Sequence, residues 1–182
     1  MSRSFSLRAR KSSRNILARV ESKFRGDPSF WPLITQAEAH GLIVSPSYFI
    51  DSKGYVASYH RSRVFIDGQL FAFYQIESIQ SSGRKLYWCP KITVHELSKV
   101  RGVIVDALNP DRIHRFFIAL SRELLRKYVG REHIIPHIPV NGYTYRPGIR
   151  PVFPWADCEN RWDLCKASAL RILTSAISSG PA

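Results

Sequence analysis

A long β-prone segment divided by turn residues, over residues 42–96, constrains the fold of this chain more than any other feature. Runs of β-branched and aromatic residues alternate there with three turn signals, Ser52-Lys53-Gly54, Asp67-Gly68 and Ser82-Gly83. Such residues favour strands, and the glycines allow tight reversals. The segment predicts a mainly antiparallel sheet with strands at Tyr48–Ile50, Tyr55–Tyr59, Arg63–Ile66, Leu70–Ile76 and Leu86–Cys89. Its aromatic side chains indicate a sheet core or, alternatively, stacking platforms for single-stranded bases.

The elements predicted around this sheet include three helices and a further strand. The first helix has Asp27 as its N-cap and Gly41 as its stop. A strand at Gly102–Ala107 precedes the second helix, which begins at Asn109-Pro110 and ends near Gly130. Apolar residues spaced by three and four indicate that helix: Ile113, Phe116, Phe117, Leu120, Leu124 and Leu125. The third helix is predicted from about Asp157 to about Ala176.

These elements predict an α+β protein with a mixed or antiparallel sheet and a few helices. The length of 182 residues favours one domain with a tail. We expect a basic N-terminal arm over residues 1–25 and a single domain over residues 26–182. No apolar run approaches the roughly 18 residues that a membrane-spanning helix needs.

The charge of the chain is strongly positive and is concentrated in the arm. The chain has 27 Lys and Arg against 14 Asp and Glu, a net charge of +13, and residues 1–25 hold eight basic residues and one acidic residue. This imbalance indicates polyanionic partners. We predict that DNA phosphates are bound by four residues of the arm: Arg8, Arg10, Lys11 and Arg14. A mitochondrial presequence, a helix lying on anionic lipid and a solvated leader are the alternatives.

A candidate chemical site lies in residues 157–166, which we call the C-terminal box. The N–H groups of a helix that begins near Asp157 would bind phosphate, and Arg161 would grip a phosphate oxygen. Glu159 or Asp157 would hold a divalent metal, which phosphoester hydrolysis commonly uses. Acidic residues in a first helical turn are also common simply because they complement the helix dipole. Outside the box, His133 and His137 are candidates for a general base or for packing.

The C-terminal box also carries a family resemblance. Residues 159–167, Glu-Asn-Arg-Trp-Asp-Leu-Cys-Lys-Ala, resemble the Gly-Glu-Arg-Arg-Trp-x-Ala-Ala-Lys nucleotide-binding box of the ParB and sulfiredoxin fold. Cys158 stands in place of the glycine, and Asn160 stands in place of the first arginine. Residues 108–113, Leu-Asn-Pro-Asp-Arg-Ile, resemble the Leu-Asp-Pro-Ala-Lys-Val helix opening of sulfiredoxins, and the two motifs follow in the order that this fold requires.

The resemblance covers residues 103–175 and implies a ParB/sulfiredoxin-like C-terminal half. It implies that four residues bind nucleotide phosphates: Arg112, Asn160, Arg161 and Lys166. It also implies catalytic roles for Glu159 and Arg161. The reactive cysteine of sulfiredoxins would fall at Glu159, so a reductase role is not expected.

The chain as a whole resembles the plasmid-encoded fertility inhibition factors of the oncogenic-suppression type, in its basic leader, its size and its C-terminal box. This resemblance implies ATP hydrolysis and DNA cleavage, with Mg²⁺ as the expected metal. It further implies a block on DNA and effector export through a type IV secretion system during conjugation. DNA, nucleotide and a secretion-system coupling protein are the expected partners, in the bacterial cytoplasm with peripheral association at the inner membrane. A non-catalytic basic adaptor that binds DNA or a secretion component is the alternative.

Overall fold

The computed structural model describes residues 15–52, 55–77, 79–82, 85–140 and 153–166. The described chain begins in helix α1 (residues 15–25), which leads through a 3-10 turn at Pro28–Phe30 into α2 (Trp31–Ala39). Asp27 is the N-cap of the 3-10 turn, and Gly41 follows α2 with φ +73°. Both ends of the predicted first helix are confirmed.

The central sheet has five strands in the order β1-β2-β3-β7-β8. Its members are β1 (Val44–Ile50), β2 (Val56–Ile66), β3 (Gln69–Ile76), β7 (Gly102–Leu108) and β8 (His114–Leu120). All neighbours pair antiparallel except β3 and β7, which are parallel. The prediction of an α+β protein with a mainly antiparallel sheet is therefore confirmed. The ParB/sulfiredoxin-like topology remains a prediction.

Short elements complete the described fold. A three-stranded sheet contains β4 (Gln80–Ser82), β5 (Lys85–Trp88) and β10 (Ile138–Pro139), and β6 (Ile92–Thr93) pairs with β9 (His133–Ile134). Of two short helices, α3 (Val94–Leu97) contacts β6, and α4 (Ser121–Lys127) contacts α3, β7 and β8. Within the described residues, no helix is long and apolar enough to cross a membrane.

The central sheet is buried on both faces. Phe71, Phe73 and Ile104 belong to a core covered by α1 and α2, which we call the helix face. Val103, Val105 and Phe117 point to the opposite core, which contains residues of β5, α3 and α4. The aromatic residues of this segment that are buried, such as Phe71 and Phe73, thus serve as core.

Residues 114–120 form strand β8, so the helix predicted from Asn109 to Gly130 is wrong over this stretch. Five consecutive residues, Phe116–Leu120, are buried because each face of the strand meets a core. A doubly buried strand places apolar residues at every position, including those spaced by three and four. Asn109 accepts a hydrogen bond from the Ile113 N–H (2.7 Å) and closes a turn between β7 and β8. The helix in this region is only α4.

The second half of the predicted arm packs onto the domain. Val20 and Phe24 of α1 are buried, and Phe24 packs against Phe30 with ring centroids 4.6 Å apart. Arg25 pairs with Glu21 and Glu38 at 3.3 and 3.1 Å. Residues 15–25 therefore belong to the folded domain.

Candidate functional site

No helix begins at Asp157, which corrects the predicted start of the third helix. Trp155–Cys158 and Trp162–Cys165 are two 3-10 turns, and Glu159 between them is extended and forms a bridge with Phe117 of β8. Asn160 has φ +54° and donates its N–H to the Phe116 carbonyl at 2.8 Å. The N–H groups of Asp157 and Glu159 also donate to backbone carbonyls, so the free N–H groups expected of a phosphate-binding helix start are absent at these residues. The predicted continuation beyond Lys166 lies outside the described residues.

Glu159 is held by Arg115 of β8. The Arg115 Nε and Nη2 atoms donate to the two carboxylate oxygens of Glu159 at 2.7 and 2.6 Å, and Nη1 donates to the Val140 carbonyl at 2.6 Å. The guanidinium also lies over the rings of Trp88 (5.6 Å) and Phe117 (5.4 Å). The hydrogen bonds to Glu159 raise the pKa of Arg115. In this structure Glu159 ties the C-terminal box to the sheet.

The residues that the sequence selected for Mg²⁺ do not fit that metal in this geometry. Both carboxylate oxygens of Glu159 accept hydrogen bonds from Arg115, while Asp157 is exposed. Within the described residues there is no group of three or more His, Cys, Asp or Glu side chains that could hold a metal ion. We therefore derive no step through a metal at Glu159 and Asp157.

The other predicted phosphate ligands of the box are exposed. Arg161 forms a bidentate ion pair with Asp163, with N–O distances of 2.8 and 2.9 Å. The hydrogen bonds from Arg161 lower the pKa of the Asp163 carboxyl. Asn160 and Lys166 are open to solvent. All three residues are therefore accessible to a phosphate, which would compete with Asp163 for Arg161.

Arg112 lies in the turn between β7 and β8, with φ +63°. It lines an open depression together with Glu77, Asn109 and three apolar neighbours, Ile79, Leu108 and Pro110. Within the described residues no hydrogen bond or ion pair joins Arg112 to Glu159, Arg161 or Lys166. The two predicted parts of the nucleotide site are therefore not linked by polar side-chain interactions in this part of the chain.

The sequence analysis missed a histidine that is held by a buried carboxylate. Asp106 of β7 is 2% exposed, and its Oδ1 atom lies 2.7 Å from Nδ1 of His114 at the start of β8. Its Oδ2 atom accepts from Gln75 of β3 at 3.2 Å. Burial raises the pKa of Asp106 although the hydrogen bonds from His114 and Gln75 oppose that shift. One signal was readable in the sequence: an aspartate inside the apolar strand Gly102–Leu108.

The two histidines that the sequence did select lie elsewhere. His133 is exposed on β9 and pairs in register with Thr93. His137 packs against Tyr87, with ring centroids 5.5 Å apart. No charged partner contacts either ring within the described part of the chain.

A basic patch lies at α4, and we call Arg101, Arg122 and Arg126 the α4 patch. Arg101 and Arg122 line one depression beside Ser121, and Arg126 follows Arg122 by one helical turn. The three side chains are exposed. The Ser121 hydroxyl is buried and has no hydrogen-bond partner among the described residues. The predicted DNA ligands Arg8, Arg10, Lys11 and Arg14 lie outside the described residues.

Comparisons with known proteins do not name a function. No protein family model, no curated protein and no solved structure matches this chain.

Proposed function

We propose that this protein is a plasmid fertility inhibition factor that acts in the bacterial cytoplasm. In this proposal it binds DNA, hydrolyses ATP and DNA phosphoester bonds, and blocks export through a type IV secretion system. The chain-wide resemblance to oncogenic-suppression factors supports this role. The order of the motifs at residues 108–113 and 159–167 is the sequence support for a ParB/sulfiredoxin-like C-terminal half. In the structure the first motif leads into strand β8 and the described part of the second contains a 3-10 turn, so this support comes from the sequence alone.

Charge is the observation that carries the DNA-binding part of the proposal. The net charge is +13, and the basic residues include the arm and the exposed α4 patch. Cations on a surface bind DNA phosphates and release counterions, which gives a strong dependence on salt without sequence specificity. The same charges favour peripheral contact with anionic lipid at the inner membrane.

The salt dependence of DNA binding tests this part. We would measure the affinity for a labelled duplex by fluorescence anisotropy at several salt concentrations. Each lost phosphate contact reduces the slope of log K against log salt by about 0.9, so Arg122→Gln is expected to reduce it by about 0.9. Replacing Arg8, Arg10, Lys11 and Arg14 together by Gln is expected to reduce it by up to about 3.6.

A matched control distinguishes specific placement from net charge. Arg61 is exposed on β2, away from α4 in the sheet order, so Arg61→Gln removes the same charge at another position. We expect the Arg61→Gln slope to equal that of the unmodified protein. Equal slopes for all variants would show that neither the arm nor the α4 patch contacts DNA.

A non-catalytic adaptor is the second candidate, and one observation favours it. Glu159 is engaged by Arg115 and Arg161 is engaged by Asp163, so both proposed catalytic side chains have protein partners. The adaptor would be established by a protein that blocks conjugative transfer when it is produced in cells but, once purified, releases no phosphate from ATP and cuts no plasmid. Mg²⁺-dependent turnover of either substrate would favour the enzyme.

A further inference from the structure

The pair Asp106–His114 lies outside the C-terminal box and has the arrangement of a general base. We infer that His114, held by Asp106, accepts the proton of the water that attacks a phosphate ester or anhydride bound beside the β7–β8 turn. This inference rests on the proposed function, in which the protein hydrolyses phosphoester bonds. It places the proton transfer on residues that neither motif contains.

The hydrogen bond to Asp106 sets the role of each ring nitrogen. When Asp106 is ionised, His114 donates Nδ1–H to it over 2.7 Å, so the lone pair of the neutral ring lies on Nε2. The Asp106 side chain is 1% exposed whereas that of His114 is 34% exposed. Within the described residues Nε2 has no hydrogen-bond partner. The carboxylate therefore orients a ring that presents a proton acceptor toward solvent.

The sheet holds this pair firmly. Gln75, Asp106 and Phe116 are register partners on three neighbouring strands, so they share the helix face of the sheet. Gln75 donates to Asp106, and the His114 ring stacks on Phe116 with an interplanar angle of 19°. Side chains fixed on strands in this way keep a base in one geometry without a conformational search.

A place for the phosphate adjoins the pair. Leu108, the register partner of His114, is one wall of the depression that contains Arg112 and Asn109. Arg112 is exposed and supplies a fork of donors for phosphate oxygens. Glu77 lines the same depression, and its like charge raises the pKa of Asp106. Arg112 belongs to the turn that joins Leu108 to His114, so a phosphate at Arg112 would lie at the same end of β7 and β8 as His114.

The proposed step balances without an added oxidant or reductant. Water gives a proton to Nε2 of His114, and the water oxygen forms a bond to phosphorus. The bond from phosphorus to the leaving oxygen breaks, and that oxygen takes a proton from the imidazolium or from solvent. Asp106 stabilises the imidazolium while it exists and stays ionised.

The test uses the full chain and measures phosphate release from ATP and nicking of a supercoiled plasmid. General bases contribute roughly 10² to 10⁴ in rate, so His114→Gln is expected to lower turnover at least about 100-fold. The melting temperature should stay near that of the unmodified protein because the Gln amide can donate to the buried Asp106 carboxylate in place of Nδ1–H. His95→Gln, which replaces an exposed histidine of α3 in the same way, should retain full turnover.

Rescue separates a chemical role from a structural one. Imidazole added to His114→Ala is expected to restore part of the turnover, because a free base can enter the space of the missing ring. An active protein whose His114→Gln variant turns over at the unmodified rate, or whose His95→Gln variant loses as much, would overturn this inference and leave the proposed function standing. An unmodified protein that cleaves neither substrate would overturn the hydrolytic function and this inference with it.

Discussion

Glu159→Gln is expected to act on stability far more than on turnover. The substitution keeps the size of the side chain and one acceptor oxygen for Arg115, but it removes the charge that faces the guanidinium. The side chains of Arg115 and Glu159 are 24% and 31% exposed, so the pair is neither fully buried nor on the open surface. Loss of the charge leaves Arg115 partly desolvated over Trp88 and Phe117.

The known energies of exposed and of buried ion pairs bracket the expected loss of stability. Exposed pairs contribute about 0 to 1 kcal/mol, and removing one partner of a fully buried pair costs about 3 to 5 kcal/mol. The intermediate exposure and the bidentate geometry give about 2 kcal/mol for Glu159→Gln. For a chain of this length that corresponds to a fall in melting temperature of about 4 to 8 °C.

Calorimetry of the unmodified protein, Glu159→Gln, Arg115→Met and the double variant measures the coupling directly. Arg161→Gln is the matched control, because the Arg161–Asp163 pair is exposed at 46% and 60% and contributes about 0 to 1 kcal/mol at most. Turnover is measured on the same samples. A Glu159→Gln variant that melts with the unmodified protein but has lost turnover would refute the structural role and restore Glu159 as a catalytic group.

Two further predictions concern the helix face. Trp162 is 1% exposed, and its ring centroid lies 5.4 Å from that of Phe116. Trp162→Ala is therefore expected to destabilise the protein by roughly 3 to 5 kcal/mol, measured by denaturant unfolding. A loss under about 1 kcal/mol would mean that the site collapses around the cavity. Burial raises the pKa of Asp27, but hydrogen bonds from Ser29 and Tyr59 outweigh that effect and leave it below the ordinary value. The ionised Asp27 carboxylate therefore stabilises the fold above about pH 4, and this contribution is lost as the pH falls through the lower pKa of the folded state. Asp27→Asn should cost about 1 kcal/mol of stability at pH 7 and make the free energy of unfolding depend less on pH in the acid range. An unchanged acid profile would contradict this.

Local signals predicted most of the first half of the fold, although the strands predicted at Tyr55–Tyr59 and Arg63–Ile66 are one strand, β2. The turn at Asp67-Gly68 joins β2 and β3, and the Asp67 carboxylate also accepts from the Ile43 N–H at 2.9 Å. Asp27 and Gly41 mark the ends of a helical segment through their own backbone preferences. These features depend on neighbouring residues, which is why sequence reasoning found them. The parallel pairing of β3 with β7 depends on distant contacts and was not predicted.

The second half was misread because burial on two faces removes the alternation that identifies a strand. β8 contains five consecutive buried residues, and the short helix α4 follows it without a break. A continuous apolar run followed by Glu, Arg and Lys has the composition of an amphipathic helix. Apolar residues do recur at intervals of three and four in this region, but only Ser121–Lys127 is helical.

In the C-terminal box, the residues that resemble the ParB and sulfiredoxin motif are the ones that pack against the sheet. Trp162 and Cys165 are buried on the helix face, Cys158 is buried in the opposite core, and Glu159 between them bridges to β8. Burial raises the pKa of both thiols to about 12, so neither is a thiolate near neutral pH. The box therefore crosses the edge of the sheet at the middle of β8, a strand that begins at His114. A change in the box that shifts β8 would move His114 as well, so loss of turnover in a box variant identifies a catalytic residue only when the melting temperature is unchanged.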